Sequence, residues 1–235
     1  MSRDLEVVPL NTDNPEPRVV CTVLVDASSS MEGEPIRELN KGFADFRRFL
    51  RDDELASRRT EVAVIEFGSS ARVAIPLQEG RSLPSYTFQA NGLTAMGSAI
   101  NKALDMVEAR KRDYRAEGIE YYRPWIVVFS DGAPTDADEF ERAVQRLADV
   151  AQHKGATVFP IGIGSRANLP TLSRLSMPQR PAMRLAGVNF SAFFEWLSAS
   201  MSAVASSQIC GSNDDELAAM TEQVQLADIS GWAIA

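Results

Sequence analysis

The feature that most constrains this chain is its alternation of short apolar runs with segments of helical periodicity. The first run, Arg18–Val25, is an almost unbroken series of apolar residues, which is typical of a parallel strand covered on both faces. Glu34–Leu50 follows it and repeats apolar residues every three or four positions, which predicts a helix with one buried face. Because the alternation continues along most of the chain, the sequence predicts a layered α/β fold.

Six strands and five helices are predicted in this pattern. A three-residue turn, Gly68–Ser70, joins the second and third strands, which must be antiparallel because a parallel connection needs a dozen or more residues. The fold class is therefore a doubly wound, mostly parallel six-stranded sheet with one antiparallel edge strand and helices on both faces. The predicted strands are Arg18–Val25, Glu61–Phe67, Arg72–Leu77, Trp125–Phe129, Thr157–Ile163 and Ala182–Leu185. The predicted helices are Glu34–Leu50, Gly97–Arg110, one that begins at Thr135–Asp136, Leu169–Leu175 and Phe190–Val204.

The predicted domain covers residues 18–205, between an N-terminal extension, 1–17, and an acidic tail, 206–235. The tail contains five acidic residues and no Lys or Arg. A short amphipathic helix is predicted over Asp214–Ala227. We expect the tail to be dispensable for the fold, and either disordered or docked on its own chain, a second copy or a partner.

Composition and charge exclude several classes of function. The net charge of −8 argues against a nucleic-acid-binding face, and no apolar run is long enough to insert in a membrane. Two cysteines are too few for a disulfide framework and favour a reducing, cytoplasmic location. Because His153 is the only histidine and ends a predicted helix, catalytic triads and histidine-rich zinc sites are disfavoured.

Oxygen-bearing side chains follow the ends of two predicted strands and precede one predicted helix. In open α/β sheets ligands bind beyond the carboxyl ends of the strands, so these side chains are expected to converge there. Two carboxylates and three hydroxyls are hard donors, which favour Mg²⁺ or Mn²⁺ over zinc or copper. The five candidates are Asp26, Ser28 and Ser30 after the first strand, Thr94 before the second helix, and Asp131 after the fourth strand.

The charge balance at this expected site favours binding over hydrolysis. Hydroxyl groups carry no formal charge, so an ion that they hold directly stays poorly neutralised and attracts an outside carboxylate. Apart from Asp26 and Asp131, no side chain is an obvious base for activating water. Asp and Ser at strand ends also form ordinary caps and turns, and this structural interpretation stays open for each motif taken alone.

Together these residues resemble the metal-ion-dependent adhesion site (MIDAS) of von Willebrand factor type A domains. The resemblance extends over about residues 18–204 and implies that Ser28, Ser30 and Thr94 bind the metal directly, whereas the two carboxylates act mainly through water. Ser29 stands where many members carry glycine, but this position is not a ligand. The motifs that carry the resemblance are Asp26-x-Ser28-x-Ser30, Gly92-x-Thr94 and Ser130-Asp131-Gly132.

Finer motifs resemble the bacterial TerY-like branch of this family, which is associated with tellurium resistance. The branch occurs in gene neighbourhoods that encode a kinase and a phosphatase. The resemblance therefore implies a role in a bacterial stress-response or phosphorylation-signalling complex, with such a protein as the partner. The matching segments are Gly33-Glu34-Pro35-Ile36, Tyr122-Arg123-Pro124-Trp125 and Asp131-Gly132-Ala133-Pro134-Thr135-Asp136.

The leading hypothesis is a non-enzymatic module that binds an Asp or Glu of a protein partner through a divalent cation. One alternative is a magnesium-dependent phosphohydrolase that uses Asp26, although such chemistry normally needs a second carboxylate two positions later, where Ser28 stands. Another is a structural subunit whose site has become vestigial. The sequence has neither a Walker A loop nor a Gly-x-Ser-x-Gly elbow, which disfavours nucleotide binding and an α/β-hydrolase.

Two charged features lie outside the expected site. The run Lys111–Arg115 at a predicted helix end is interpreted as a solvated face, with a docking patch for an acidic partner as the alternative. Glu66 is a charge near the end of an apolar strand. We interpret it as an outward-facing residue at the rim, with an acid that tunes the metal as the alternative.

Overall fold

In a computed structural model of the chain, the described residues are 8–132, 134–165, 167–177, 180–220, 225–229 and 232–234. They form a seven-stranded sheet of order β3-β2-β1-β4-β5-β6-β7. The strands are β1 (Val19–Asp26), β2 (Thr60–Phe67), β3 (Ala71–Glu79), β4 (Trp125–Ser130), β5 (Thr157–Gly162), β6 (Met183–Leu185) and β7 (Ala233–Ile234). The α-helices are α1 (Glu34–Asp52), α2 (Glu54–Arg59), α3 (Met96–Glu117), α4 (Ala137–Gln152), α5 (Leu169–Ser173), α6 (Phe190–Ala205) and α7 (Asp214–Ala219).

The doubly wound architecture predicted from the sequence is confirmed. β2, β1, β4, β5 and β6 are parallel, and β3 runs antiparallel at one edge of the sheet. The sequence missed β7, which pairs antiparallel with β6 at the other edge. Because β1 pairs with β2 on one side and β4 on the other, the strand order reverses between β1 and β4, where this class of sheet binds ligands.

β1 lies in the interior of the sheet, and all eight of its residues are buried. Val23 and Val25 enter one core, in which α1 and α6 pack on the sheet. Val20 and Leu24 enter a second core on the opposite face, formed largely with α3 and α4. A strand covered on both faces has no solvent-facing positions, which explains the unbroken apolar run in the sequence.

α3 and α4 touch at Gly97, near the start of α3. A Cβ at this position would lie 2.1 Å from the backbone nitrogen of Phe140 in α4, which is far inside van der Waals contact. Only glycine therefore permits the observed approach of the two helices. This contact fixes the beginning of α3, which directly follows the loop that carries Thr94.

The charged run Lys111–Arg115 is solvent-exposed at Arg112, Asp113 and Arg115, as the sequence predicted, whereas Lys111 and Tyr114 are buried. α3 extends beyond Arg110 to residue 117, and the side chains of Arg110 and Tyr114 are at most 1 % exposed. The Arg110 Nε lies 3.0 Å from a carboxylate oxygen of Glu61 in β2, and the Tyr114 hydroxyl donates to the same oxygen. The burial of Arg110 and Tyr114 could not be predicted locally, because the carboxylate that makes it possible comes from a distant strand.

Lys111, the next residue of α3, connects this helix to the C-terminal segment. Its side chain is 1 % exposed, and its Nζ lies 2.6 Å from Oδ2 of Asp214 at the start of α7. The next turn of α7 buries Leu217 in the second core. α7 ends at Ala219, so the described helix is shorter than the predicted one, and residues 221–224 of that prediction lie outside the described residues.

Trp232 fixes the last described residues of the C-terminal segment to the first core. Its side chain is 1 % exposed, with ring centroids 4.7 Å from Phe193 and 5.0 Å from Trp196 of α6. β7 follows immediately and extends the sheet. The described part of 206–235, which the sequence predicted to be either disordered or docked, is therefore docked on its own chain.

The N-terminal extension also contacts the sheet. Residues 1–7 lie outside the described residues, and the backbone N–H of Val8 donates to the carbonyl of Leu77 in β3 at 3.1 Å. Arg110 donates to the Val8 carbonyl at 2.8 Å, which ties the extension to the amino end of the parallel strands. None of the described helices has the length and apolar character needed to cross a bilayer.

Candidate metal site

Asp26 is the last residue of β1 and lies beside Ser130, the last residue of β4. Its side chain has no solvent exposure. Oδ1 accepts from the backbone N–H of Ser28 at 2.9 Å, and Oδ2 accepts from the Ser130 hydroxyl at 2.6 Å. The parallel register, which pairs Val25 with Phe129, brings these two strand ends together as the sequence predicted.

Burial raises the pKa of the Asp26 carboxyl, because the charged form loses its hydration. Hydrogen bonds from Ser130 and Ser28 oppose this effect, and the nearby charge of Asp131 adds to it. Among the residues that the structure describes, no Lys or Arg forms a salt bridge with Asp26. The site therefore contains a carboxylate whose recorded partners are neutral donors.

Ser28 and Ser30 place two hydroxyls side by side above Asp26. Their Oγ atoms are 2.7 Å apart, because the chain turns into a short 3-10 helix over Ser29–Met31 directly after the strand. Ser28 is 3 % exposed, whereas Ser30 is exposed to solvent. The pair thus reaches from the buried carboxylate to the protein surface.

The loop before α3 holds Thr94 next to the loop after β1. The backbone N–H of Asn91 donates to the Ala27 carbonyl at 2.7 Å, and the backbone N–H of Ser29 donates to the Gly92 carbonyl at 3.1 Å. Gly92 has a φ of +86°, a conformation that is costly for other residues. Thr94, with 6 % exposure, follows two residues later at the same edge of the sheet.

Asp131 follows β4 and is half-buried. Its backbone carbonyl accepts from the backbone N–H of Asn168 at 2.6 Å. The next residue, Gly132, has a φ of +80°, and a Cβ there would lie 2.7 Å from the Asn168 carbonyl oxygen. The Gly132 amide donates to the Ser130 hydroxyl at 3.1 Å, so the same hydroxyl serves both Asp26 and the Asp131 loop.

Two further residues, Thr135 and Asp136, position Thr94. They directly precede α4, as the sequence predicted, but Asp136 makes no side-chain cap to that helix. Its carboxylate accepts from the backbone N–H groups of Gly97 and Ser98 at 3.1 and 2.7 Å. Thr135 exchanges two hydrogen bonds with Thr94, through its hydroxyl at 3.1 Å and its amide at 2.9 Å. No local pattern could have revealed this, because the contact crosses two loops.

Glu66 and His153 have structural surroundings outside this cluster. A Glu66 carboxylate oxygen accepts from Arg72 at 2.8 Å and from the Tyr86 hydroxyl at 2.6 Å. His153 ends α4, where its Nδ1 lies 2.8 Å from the Asp149 carbonyl oxygen. Glu66 is 7 % exposed, so it is a paired, buried acid and not an outward-facing one.

The donor chemistry of the cluster fits a hard divalent cation. It combines two carboxylates with three hydroxyls, as Mg²⁺ and Mn²⁺ prefer. No group of three or more His, Cys, Asp or Glu able to hold a metal occurs within the described ranges, so a zinc or copper centre built from such residues is not apparent there. The buried Asp26 carboxylate holds the backbone of Ser28, and the hydroxyl pair of Ser28 and Ser30 leads from it to the exposed Ser30.

A sequence model of the von Willebrand factor type A domain matches residues 22–194, which include all five candidate residues. The chain belongs to the von Willebrand factor type A domain family. The mixed sheet with its antiparallel edge strand is the fold that type A domains share.

Several known proteins resemble this chain over most of its length. The collagen alpha-1(VI) chain of Xenopus laevis is 26 % identical over 156 residues, which are 64 % of this chain and 14 % of the collagen. The structure of manganese-loaded Plasmodium vivax TRAP protein has a TM-score of 0.55 at 20 % identity and covers 77 % of this chain and 73 % of that chain. Proximal thread matrix protein 1 of the mussel byssus, with a zinc-occupied MIDAS motif, has a TM-score of 0.51 at 16 % identity and covers 80 % and 48 % respectively. The chain thus spans a small part of the collagen and about half of the byssus protein.

Proposed function

We propose that this chain is a non-enzymatic, metal-dependent protein-binding module. Ser28, Ser30 and Thr94 hold Mg²⁺ or Mn²⁺ directly, and Asp26 and Asp131 act mainly through water. The observation that carries the proposal is the fully buried Asp26 carboxylate, whose recorded partners are a hydroxyl and an amide. A divalent ion beside it would offset the cost of burying that charge.

The partner is proposed to supply an Asp or Glu to the ion. Three neutral hydroxyls leave the ion with positive charge, so a carboxylate from outside gains a strong electrostatic interaction. The manganese-loaded TRAP protein and the zinc-occupied byssus protein support the metal part of the proposal, because similar folds hold divalent ions in those two proteins.

Calorimetric titration with Mg²⁺ and with Mn²⁺ tests the metal site directly. We expect one ion to bind the wild-type protein, and Asp26→Asn to weaken this binding at least about 100-fold. Asp138→Asn is the matched control, since Asp138 is an exposed acid in the first turn of α4. If the wild-type protein binds neither ion, the site is vestigial. If Asp26→Asn binds as well as wild type, the assignment of the residues is wrong.

The phosphohydrolase alternative lacks a supporting observation in the site. A hydroxyl, Ser28, stands two residues after Asp26, and it makes a hydrogen bond to another hydroxyl, Ser30. A panel of phosphate esters with Mg²⁺ distinguishes the two functions. Turnover that Asp26→Asn abolishes would support the enzyme, and we expect none above background.

The finer biological assignment is also a proposal, and it rests on motif resemblance. We place the chain in the TerY-like branch, acting in the cytoplasm of a bacterium in a stress-response complex with a kinase or a phosphatase. Both cysteines are free, as a reducing compartment would leave them. Affinity capture with and without chelator, followed by alanine scanning of the captured protein's acids, tests this assignment. We expect chelator-sensitive capture and one dominant acidic residue.

A further inference from the structure

Leu93 is an exposed apolar residue beside the candidate metal site. Among the described residues, three large apolar side chains are strongly exposed, and Leu93 is the most exposed of them at 59 %, compared with 40 % for Val8 and 44 % for Ile229. It lies between Gly92 and the candidate ligand Thr94. A leucine directed to solvent at this position loses the hydrophobic free energy that burial would provide.

The backbone around Leu93 is held by three different loops. The successive amides of Gly92, Leu93 and Thr94 each donate to a hydroxyl, at 3.1 Å to Ser29, 3.2 Å to Ser69 and 3.1 Å to Thr135 respectively. These three hydroxyls follow β1, β2 and β4. The leucine is therefore presented by an ordered backbone, and a partner that covers it has little loop entropy to overcome.

Residues 83–95 before α3 and the described residues of the loops after β1, β2, β4 and β5 include no Lys or Arg. Their exposed polar side chains are neutral or acidic, and they include Ser29, Glu32, Ser69, Asn91, Thr135 and Asn168. A partner's acidic segment would thus find no cationic patch here. The surface offers the proposed metal ion for one carboxylate and one apolar contact next to it.

We propose that Leu93 is the apolar half of a two-part recognition site, which accepts an Asp or Glu flanked by an apolar residue in a protein partner. This inference rests on the proposed function, because it assumes that the metal ion takes the carboxylate. Covering Leu93 with an apolar side chain removes both from water, and a gain of about tenfold in affinity is expected. Free carboxylates and uniformly polar acidic segments would bind more weakly.

Short blocked peptides test the inference without knowledge of the natural partner. One peptide carries a single Asp between glycines, and two others carry Leu directly before or after that Asp. Binding to the Mn²⁺-loaded protein is measured by the broadening of peptide NMR signals, and metal affinity is measured by calorimetry. The variants are Leu93→Ser and the control Val8→Ser, which changes an exposed apolar residue at the opposite end of the sheet.

We expect one of the Leu-flanked peptides to bind wild type and Val8→Ser about tenfold more tightly than the glycine peptide. In Leu93→Ser this preference should disappear, while the affinities for Mn²⁺ and for the glycine peptide stay unchanged. The inference alone is overturned if the preference for a Leu-flanked peptide persists in Leu93→Ser. It is also overturned if wild type binds the glycine peptide but shows no such preference. Failure to bind Mn²⁺, or to bind any peptide when Mn²⁺ is bound, overturns the proposed function as well.

Discussion

Buried charges have different partners at the two ends of the parallel strands. At the amino end, the buried Glu61 is accompanied by Arg110 at 3.0 Å and by the Tyr114 hydroxyl. Burial raises the pKa of Glu61, and the Arg110 guanidinium and Tyr114 counteract the rise. At the carboxyl end, Asp26 is equally buried, but its recorded partners are the hydroxyl of Ser130 and an amide.

This difference distinguishes a buried charge that serves the fold, Glu61, from one that can serve a binding site, Asp26. The amino end contains its own counter-charge, so the charge of Glu61 is offset within the chain and the pair serves the packing of the fold. The carboxyl end combines acids with hydroxyls and, among the described residues, has no salt bridge from Lys or Arg to Asp26. A positive charge from outside the chain would offset the charge of these acids, which is why this end is a candidate site.

The largest effect on stability is expected from breaking the ion pair between Glu61 and Arg110 at the amino end of the strands. Arg110→Met should lower the free energy of unfolding by about 3 kcal/mol, because it removes the guanidinium that lies 3.0 Å from the buried Glu61 carboxylate and leaves only the weaker attraction of Arg18. Urea denaturation measures the change, and Arg112→Met is the control, since exposed Arg112 should change stability by less than about 0.5 kcal/mol. Mg²⁺ affinity should stay unchanged in both variants. A variant as stable as wild type would show that the pair is not a structural element.

At the carboxyl end, removing the charge of Asp26 is expected to have the opposite effect on stability. Since burial raises the pKa of Asp26, the folded protein binds this proton more tightly than the unfolded chain, and ionised Asp26 lowers metal-free stability at neutral pH. Metal-free Asp26→Asn should therefore melt at the same temperature as wild type or higher, although it loses Mg²⁺ binding. Thermal melts with chelator and with excess Mg²⁺ check this, and a large loss of metal-free stability would contradict the comparison.

A smaller effect is expected from Asp136, which acts on the site through the start of α3. Asp136→Asn weakens the hydrogen bonds to Gly97 and Ser98 and should reduce Mg²⁺ affinity by about tenfold, as is usual for groups that orient metal ligands. Asp138→Asn serves again as the control. Calorimetric titration measures both, and equal affinities in the two variants would show that Asp136 holds the helix without influencing Thr94.

The sequence predicted the place of the candidate site because strand ends are easy to recognise. An apolar run followed by Asp26 or by Asp131 marks where a strand stops, and parallel register then brings such ends to one edge. Thr94 was placed by the same reasoning, since it precedes a helix. The metal assignment of these residues stays a prediction until an ion is titrated.

Other elements could not be read from local patterns, because their burial depends on distant partners. Lys111 has a local partner in Glu108, but its second carboxylate, which joins it to the C-terminal segment, comes from Asp214, 103 residues away. Trp232 looks like an isolated aromatic residue in an acidic segment, and only the rings of α6 give it a core to join. Such pairings are absent from any window of a dozen residues.

The sequence separation within the candidate site has a consequence for folding kinetics. The hydrogen bond from Ser130 to Asp26 closes a separation of 104 residues, and that from Thr94 to Thr135 closes 41. Long-range pairings of this kind form slowly and only once the sheet is assembled. A metal ion would therefore find its ligands together only in the native protein, so added Mg²⁺ should slow unfolding and leave the refolding rate unchanged.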